Sequence, residues 1–367
     1  MRVLMVSAPG AGHVFPLVPL AWALRSGGHD VLLASTSIGV TLGSGAGLLT
    51  TDVAPNIEME RIFRAGGPAT AFDGAQDRDH RAAAMALFAE VNRAMLDGLR
   101  RCARAWRPDV VVYGNLETAG AVVAAELAVP GVEHALSPAA PIGLMNAAIW
   151  PRIADSEPVV PAAGIGIVPP SIAPTPTPGW AQRAVPYNGG AVIPDGVTDP
   201  PQRPRVLVTM GTVAPRMGGV GVVRELLDAV AQEPVDVLVA LGLDPAELGP
   251  LPPSVRAYPW LPLTAALPHC AAVVHHGGAG TMISALAFGV PQVIVPRGAD
   301  QFSNAATIER RGCGLQAGAD PAAVRAAVRR ALAGEFGVAV AEVRAEIEAL
   351  PTPAEVASEL VALVRGC

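Results

Sequence analysis

Short apolar runs alternate along the chain with longer stretches whose apolar residues recur at helical spacing. Arg2–Val6, Asp30–Ser35, Asp109–Tyr113, Arg205–Met210, Asp236–Leu241, Ala271–Val274 and Gln292–Val295 predict buried strands. Between them, Leu17–Ser26, Ala82–Trp106, Glu117–Ala128, Val220–Gln232, Thr281–Phe288 and Ala322–Leu332 predict helices. A strand that is apolar along its whole length needs cover on both faces, and a helix after each strand supplies it. The pattern therefore predicts an α/β protein built on parallel sheets.

The alternation pauses between Trp150 and Arg205. Pro158, Pro161, Pro169, Pro170, Pro174, Pro176 and Pro178 precede Asn188-Gly189-Gly190 and four more prolines. That density predicts loops without interior helix or strand, ending in a linker at 187–203. A fresh strand–helix pattern starts at Arg205. The expected domains are thus 1–186 and 204–350, two doubly wound halves facing a central cleft. Pro351-Thr352-Pro353 then opens an amphipathic helix within 351–367, which by pattern alone packs as a terminal helix on the second domain.

The length of 367 residues agrees with two domains, being too great for one ordinary core. No apolar run is long enough to span a bilayer, and the run after Met1 stops at Ser7, too soon for a signal core. Cys102, Cys270, Cys313 and Cys367 lie far apart with no CxxC pair, which argues against a zinc site or disulfide framework and fits a reducing cytoplasm. A net charge of -6 offers no basic face for nucleic acid or an anionic membrane.

Four stretches carry candidate chemistry. In Val274-His275-His276-Gly277-Gly278-Ala279-Gly280-Thr281 an apolar strand meets a small-residue turn and a helix start. Glycines let the backbone approach a ligand, and the free N–H groups of the helix start make an anion site to which His276 adds a donor. A ligand-free tight turn is the plain alternative. After the first strand, Gly10-Ala11-Gly12-His13-Val14-Phe15 fails as a dinucleotide fingerprint: Phe15 takes the third glycine's place, and no acid ends the second strand. What remains is His13 at a strand end, either a general base or a histidine held by backbone hydrogen bonds. Asp300-Gln301 follows the Gln292–Val295 strand and suits either sugar hydroxyls or the start of a helix near Phe302. Trp260, between Pro259 and Leu261, suits stacking on a base or packing in the core. Asp77-Arg78-Asp79 is formally a DxD, but its charged surroundings read as a solvated helix start.

Together these stretches resemble the inverting, two-domain (GT-B) family 1 glycosyltransferases, especially the calicheamicin type and its aromatic-polyketide relatives. The likeness covers nearly the whole chain. It runs from Gly12-His13 and Gly28-His29-Asp30-Val31 through Arg107–Tyr113, Met210-Gly211-Thr212, His275–Thr281, Gly289–Gln292 and Asp300-Gln301 to Leu350–Ala354. The resemblance implies that His13 takes the acceptor's proton, with Gly12, Phe15, Asn115 and Glu117 on the acceptor side. It implies that His276, Gly278, Ala279, Gly280, Thr281, Gly211 and Thr212 hold the diphosphate, that Trp260 and Leu261 flank the base, and that Asp300 and Gln301 face the sugar. Loops at about 60–80 and 136–165 would form the acceptor pocket, and the last helix would return to the N-terminal domain. The implied partners are a nucleotide-sugar co-substrate, dTDP-linked, and a hydrophobic natural-product aglycone. No metal or other cofactor is implied, nor any nucleic acid or membrane, and a monomer or homodimer is equally compatible.

One departure from the family pattern stands out. Relatives place an Asp after the strand matching Asp109–Tyr113, where it orients the histidine; here that position is Gly114. Asn115 and Glu117 are the candidate substitutes, Glu117 nearly a helical turn further on. Lacking a carboxylate partner, His13 is expected to be a weaker base, suited to phenols or to attack by a ring carbon. The readings to be separated are an O-glycosyltransferase, a C-glycosyltransferase acting on an aromatic polyketide, a GT-B nucleotide-sugar epimerase, and an auxiliary protein that has lost its chemistry.

Overall fold

The computed structural model describes all residues except 66–76, 136–140, 174–178, 212–219, 299, 319 and 367. Its contacts divide the chain into two compact units, Met1–Gly189 with Ala349–Cys367, and Gly190–Glu348.

In the first unit, seven parallel strands form one sheet: β1 (Arg2–Val6), β2 (Asp30–Ser35), β3 (Leu49–Asp52), β4 (Val110–Gly114), β5 (Gly131–Ala135), β6 (Ala163–Gly166) and β7 (Trp180–Ala181). Their order is β3-β2-β1-β4-β5-β6-β7, so the chain reverses direction across the sheet between β1 and β4. Leu4, Val6, Val111 and Tyr113 pack on one face against Met95, Leu99 and Val122, all buried. The helices that bear on the site are α1 (Ala11–Val14), α2 (Val18–Ser26), α3 (Asp77–Trp106), α4 (Thr118–Leu127) and α5 (Leu144–Ile149).

The second unit repeats the plan with β8 (Arg205–Thr209), β9 (Asp236–Ala240), β10 (Val255–Tyr258), β11 (Ala272–His275), β12 (Gln292–Ile294) and β13 (Gly314–Gln316). The order β10-β9-β8-β11-β12-β13 puts the reversal between β8 and β11. Alternate residues of β8 go to opposite cores: Val206 and Val208 meet Leu226, Leu227 and Val230, while Leu207 meets Ala266, Leu267 and Ala285. Burial on both faces is why the strand reads as an unbroken apolar run. Here α6 (Ala279–Ala287) and α7 (Gln301–Arg311) carry the site.

Two expectations need correction. The Pro-rich stretch after Trp150 does hold strand, because β6 and β7 lie at the end of their sheet, in gaps between the prolines. The final helix α8 (Pro353–Gly366) packs against α2 in the first unit, the destination the resemblance implies, and not on the second domain as its pattern alone suggests. Val356, Ala357 and Leu360 are its buried face, and the Arg183 N–H donates to the Pro351 carbonyl at 2.6 Å where the chain arrives.

Candidate active site

Ligands in doubly wound sheets bind beyond the strands' carboxyl ends, at the point where strand order reverses. In the first unit the candidate residues fall on the two loops flanking that point; in the second the His276 turn and Gly211 do, while Trp260 and Leu261 follow β10 and Asp300 and Gln301 follow β12.

In the first unit these loops follow β1 and β4. His13 lies in the single turn α1, its side chain 22% exposed, with Nδ1 2.7 Å from Glu117 Oε1. At this separation the two groups form an ion pair once the ring takes up a proton. Glu117 is buried and held from both sides, accepting the Ala8 N–H on Oε1 and the Leu116 N–H on Oε2, each at 3.1 Å. Phe88 of α3 stands against the imidazole at 5.3 Å between ring centroids.

This overturns the expectation that Gly114 leaves His13 without a carboxylate. Residues 114–117 form a turn and not the start of a helix, with the Glu117 N–H donating to the Gly114 carbonyl at 3.2 Å. The turn folds Glu117 back over the end of β4 toward β1. Glu117 is the N-cap residue of α4, yet its side chain does not cap that helix. Asn92 of α3 does so instead, accepting the Ala119 N–H at 2.8 Å and donating to the Leu116 carbonyl at 2.8 Å. The carboxylate is thereby released to His13, and the case for a weakened base loses its premise. Asn115 is buried at the same strand end, and Phe15 is buried with its edge on Tyr187 at 5.0 Å. Gly12 has open space where a side chain would stand.

Next to this pair, Glu133 of β5 is fully buried and accepts the Asn146 amide at 2.7 Å and the Gly143 N–H at 3.0 Å. Burial pushes its carboxyl pKa up, against those hydrogen bonds.

In the second unit the flanking loops follow β8 and β11. α6 begins at Gly278, which supplies no side-chain cap. The first N–H groups of α6, at Ala279, Gly280 and Thr281, have no partner within the helix and present its positive end to a ligand. Apart from its chain neighbours and its own helix backbone, no atom lies within 4 Å of where a Cβ on Gly280 would stand. The His276 imidazole lies between two glycines: a Cβ on Gly211 would come within 2.7 Å of its Cε1, and one on Gly278 within 2.5 Å of its Nε2. Gly211 also has φ +71°, a left-handed conformation that favours glycine. Burial lowers the His276 pKa to about 4, partly opposed by the charge of Asp300, so the ring meets a ligand neutral near pH 7. Thr212 lies outside the described residues.

Asp300 is the N-cap residue of α7; its side chain accepts from the Asn304 amide at 2.9 Å and does not cap the helix. Gln301 Oε1 accepts the Arg297 and Gly298 N–H groups at 2.8 and 3.2 Å, shaping its own loop. Trp260 is half-buried, whereas the Leu261 side chain is in the core with Leu207 and Leu238, leaving its backbone for a ligand. Sequence reasoning missed Asn92, His275, Gln292 and Asn304. Polar residues inside an apolar strand or helix face, as at Gln292 and Asn92, were the available signal. Among the described residues no group of three or more His, Cys, Asp or Glu could hold a metal ion, and no helix is long and apolar enough to cross a membrane.

Two doubly wound units, with His13 and Glu117 at the switch point of one and the His276 turn at that of the other, fit a glycosyltransferase of the GT-B fold. Comparison with known proteins bears this out. Residues 22–211 match the N-terminal domain, and residues 224–363 the C-terminal domain, described as erythromycin biosynthesis protein CIII-like. The chain belongs to this family of antibiotic glycosyltransferases. It is 40% identical over 373 residues to the elloramycin glycosyltransferase ElmGT of Streptomyces olivaceus, covering 98% of this chain and 97% of that one. Among solved structures, the glycosyltransferase SnogD from Streptomyces nogalater superposes with a TM-score of 0.84 at 34% identity, covering 99% of both chains. SsfS6 of Streptomyces sp. SF2575, complexed with thymidine diphosphate, gives 0.82 at 29% identity, again covering 99% of both.

Proposed function

We propose that the protein transfers a deoxyhexose from thymidine diphosphate to a hydroxyl of a hydrophobic aromatic aglycone, with inversion at the anomeric carbon. The observation that carries this reading is the His13–Glu117 pair, a partly exposed imidazole backed by a buried carboxylate at 2.7 Å. The acceptor oxygen attacks the anomeric carbon while His13 takes its proton, and Glu117 stabilises the imidazolium that forms. The bond from the anomeric carbon to the diphosphate oxygen breaks with its electron pair, leaving new negative charge on the diphosphate. That charge falls to the α6 N–H groups and to neutral His276 as donors, with no metal ion called for. Thymidine is supported by the nucleotide bound to SsfS6. A deoxysugar is supported by the modest polar provision beside Asp300, since the Gln301 amide oxygen is already engaged by its own loop. A hydrophobic acceptor is supported by Phe88, which stands against His13 and, like Leu116 and Met145, packs on the buried cluster of Met85, Ala89 and Ile149.

The test is mass spectrometry of purified protein incubated with dTDP- and UDP-sugars and a panel of aromatic aglycones. A product heavier than the aglycone by one sugar residue, labile to acid, is expected. An acid-stable product would shift the reading to C-glycosylation. Epimerised donor with no glycoside would remove transfer altogether.

A further inference from the structure

Behind the diphosphate turn runs a buried line of side chains to which the reaction above gives no part. Gln292, first residue of β12 and fully buried, donates from Nε2 to the Met282 carbonyl of α6 at 3.3 Å. Its Oε1 lies 2.9 Å from Nε2 of His275, which is also fully buried. His275 Nδ1 accepts the Gly277 N–H at 3.1 Å. An Nδ1 that accepts must be bare, so the proton sits on Nε2 and donates to Gln292. Burial holds the His275 pKa down to about 3, with the charge of His276 acting in the same direction, which keeps that tautomer neutral.

On the other side of the turn stands Asn304 of α7, fully buried. Its Nδ2 donates twice, to the Gly277 carbonyl at 2.9 Å and to Asp300 Oδ2 at 2.9 Å. Reversing the amide would set its oxygen against a carbonyl and a carboxylate, so chemistry assigns the nitrogen to this side. Oδ1 then has no partner among the described residues. A buried acceptor left unpaired weakens a fold, and it marks a group retained for what its other end does. A trans peptide holds its N–H antiparallel to its C=O. By drawing the Gly277 carbonyl inward, Asn304 turns the Gly278 N–H away from the core. Gly277, at φ +92°, is thus held at its N–H by His275 and at its carbonyl by Asn304.

We propose that Asn304 is a positioning residue for the donor, one buried amide that orients the diphosphate turn and the sugar-side carboxylate Asp300 together. Sugar and leaving group are then held in a single register. The proposal rests on the donor reading above, in which Asp300 meets the sugar.

The experiment is titration calorimetry with thymidine diphosphate and with a dTDP-hexose, comparing the ratio of the two dissociation constants. Asn304→Leu nearly keeps the shape and removes both donations. It is expected to lower the preference for the dTDP-hexose by about tenfold, and thymidine diphosphate affinity by less than about threefold. In an Asp300→Ala background the same change should leave the ratio where Asp300→Ala alone puts it, because Asn304 acts on the sugar through that carboxylate. Asn304→Ser is the second variant should the first fail to fold, and it is read by the same ratio. Equal losses for both ligands, or an undiminished effect without Asp300, would overturn the proposal while leaving the donor reading intact. Wild-type protein that binds neither ligand would overturn the donor reading, and this proposal with it.

Discussion

His13 and Glu117 are 104 positions apart, and their meeting depends on which backbone groups the carboxylate also serves. The Ala8 and Leu116 N–H groups fix both oxygens of Glu117, so the carboxylate is oriented before any acceptor arrives. A charge already in place stabilises an imidazolium without reorganisation at the moment of transfer. Glu117→Gln keeps the shape and removes the charge. We expect kcat to fall by about 100-fold with donor KM nearly unchanged, measured by steady-state kinetics on the aglycone that responds in mass spectrometry. An unchanged kcat would remove Glu117 from the proton transfer. Asn92 shows in the sequence only as a polar residue on an apolar helix face, and the 114–117 turn does not announce itself there at all. Gly114 does, and counting residues onward from it places Glu117 too far along, because counting assumes a helix where the chain turns back.

At the scale of elements, strand ends carry the buried polar groups. His134 is the last residue but one of β5 and His275 ends β11, with His276 one residue on; burial is the main cause of pKa values lowered to about 4, 3 and 4 respectively. Each imidazole takes up a proton near pH 6.5 when the chain is unfolded and resists it when folded. Below about pH 6.5 the unfolded state therefore binds more protons, and stability falls toward pH 4; above that window these groups contribute no slope. Glu133 acts in the opposite sense, its raised pKa favouring the folded state at low pH, but it is one group against three. Thermal scans from pH 7.5 to 4.5 should show Tm falling with pH. His134→Leu should flatten the fall, since neither of its ring nitrogens has a hydrogen-bond partner among the described residues. A Tm that holds or rises as pH drops would contradict this account. Central strands such as β1, β8 and β11 were legible because they are apolar throughout. β5 was not, since Glu133 and His134 interrupt its run, and β3 was not, being a short strand at the sheet edge.

At the scale of the whole molecule, the last helix completes the unit that contains the first strand. Val356 and Leu360 of α8 are buried on the α2 side of that unit, and Arg183 holds the approach through the Pro351 and Leu350 carbonyls. Burial of those side chains contributes roughly 3–5 kcal/mol. Truncation after Ala349 should lower Tm by about 10 °C, read by circular dichroism; an unchanged Tm would mean that α8 adds no stability. The amphipathic pattern of 353–366 foretold a packing helix but not its destination, because a stripe of apolar residues records that a face is covered and not by what.

The sequence by itself determined what is local or periodic. Unbroken apolar runs implied strands covered on both faces, the alternation implied parallel sheets, and the glycines after His276 implied a helix start open to an anion. These follow from covalent geometry and from the repeat lengths of helix and strand, which any stretch of chain expresses alone. Only the tertiary structure decided which strand ends stand together. Strand order brings the β4 turn beside the β1 loop and α7 beside the β11 turn, giving His13 its carboxylate and the Gly277 carbonyl its amide. Contacts across a sheet depend on how the chain crosses over, and spacing along the sequence carries no record of that.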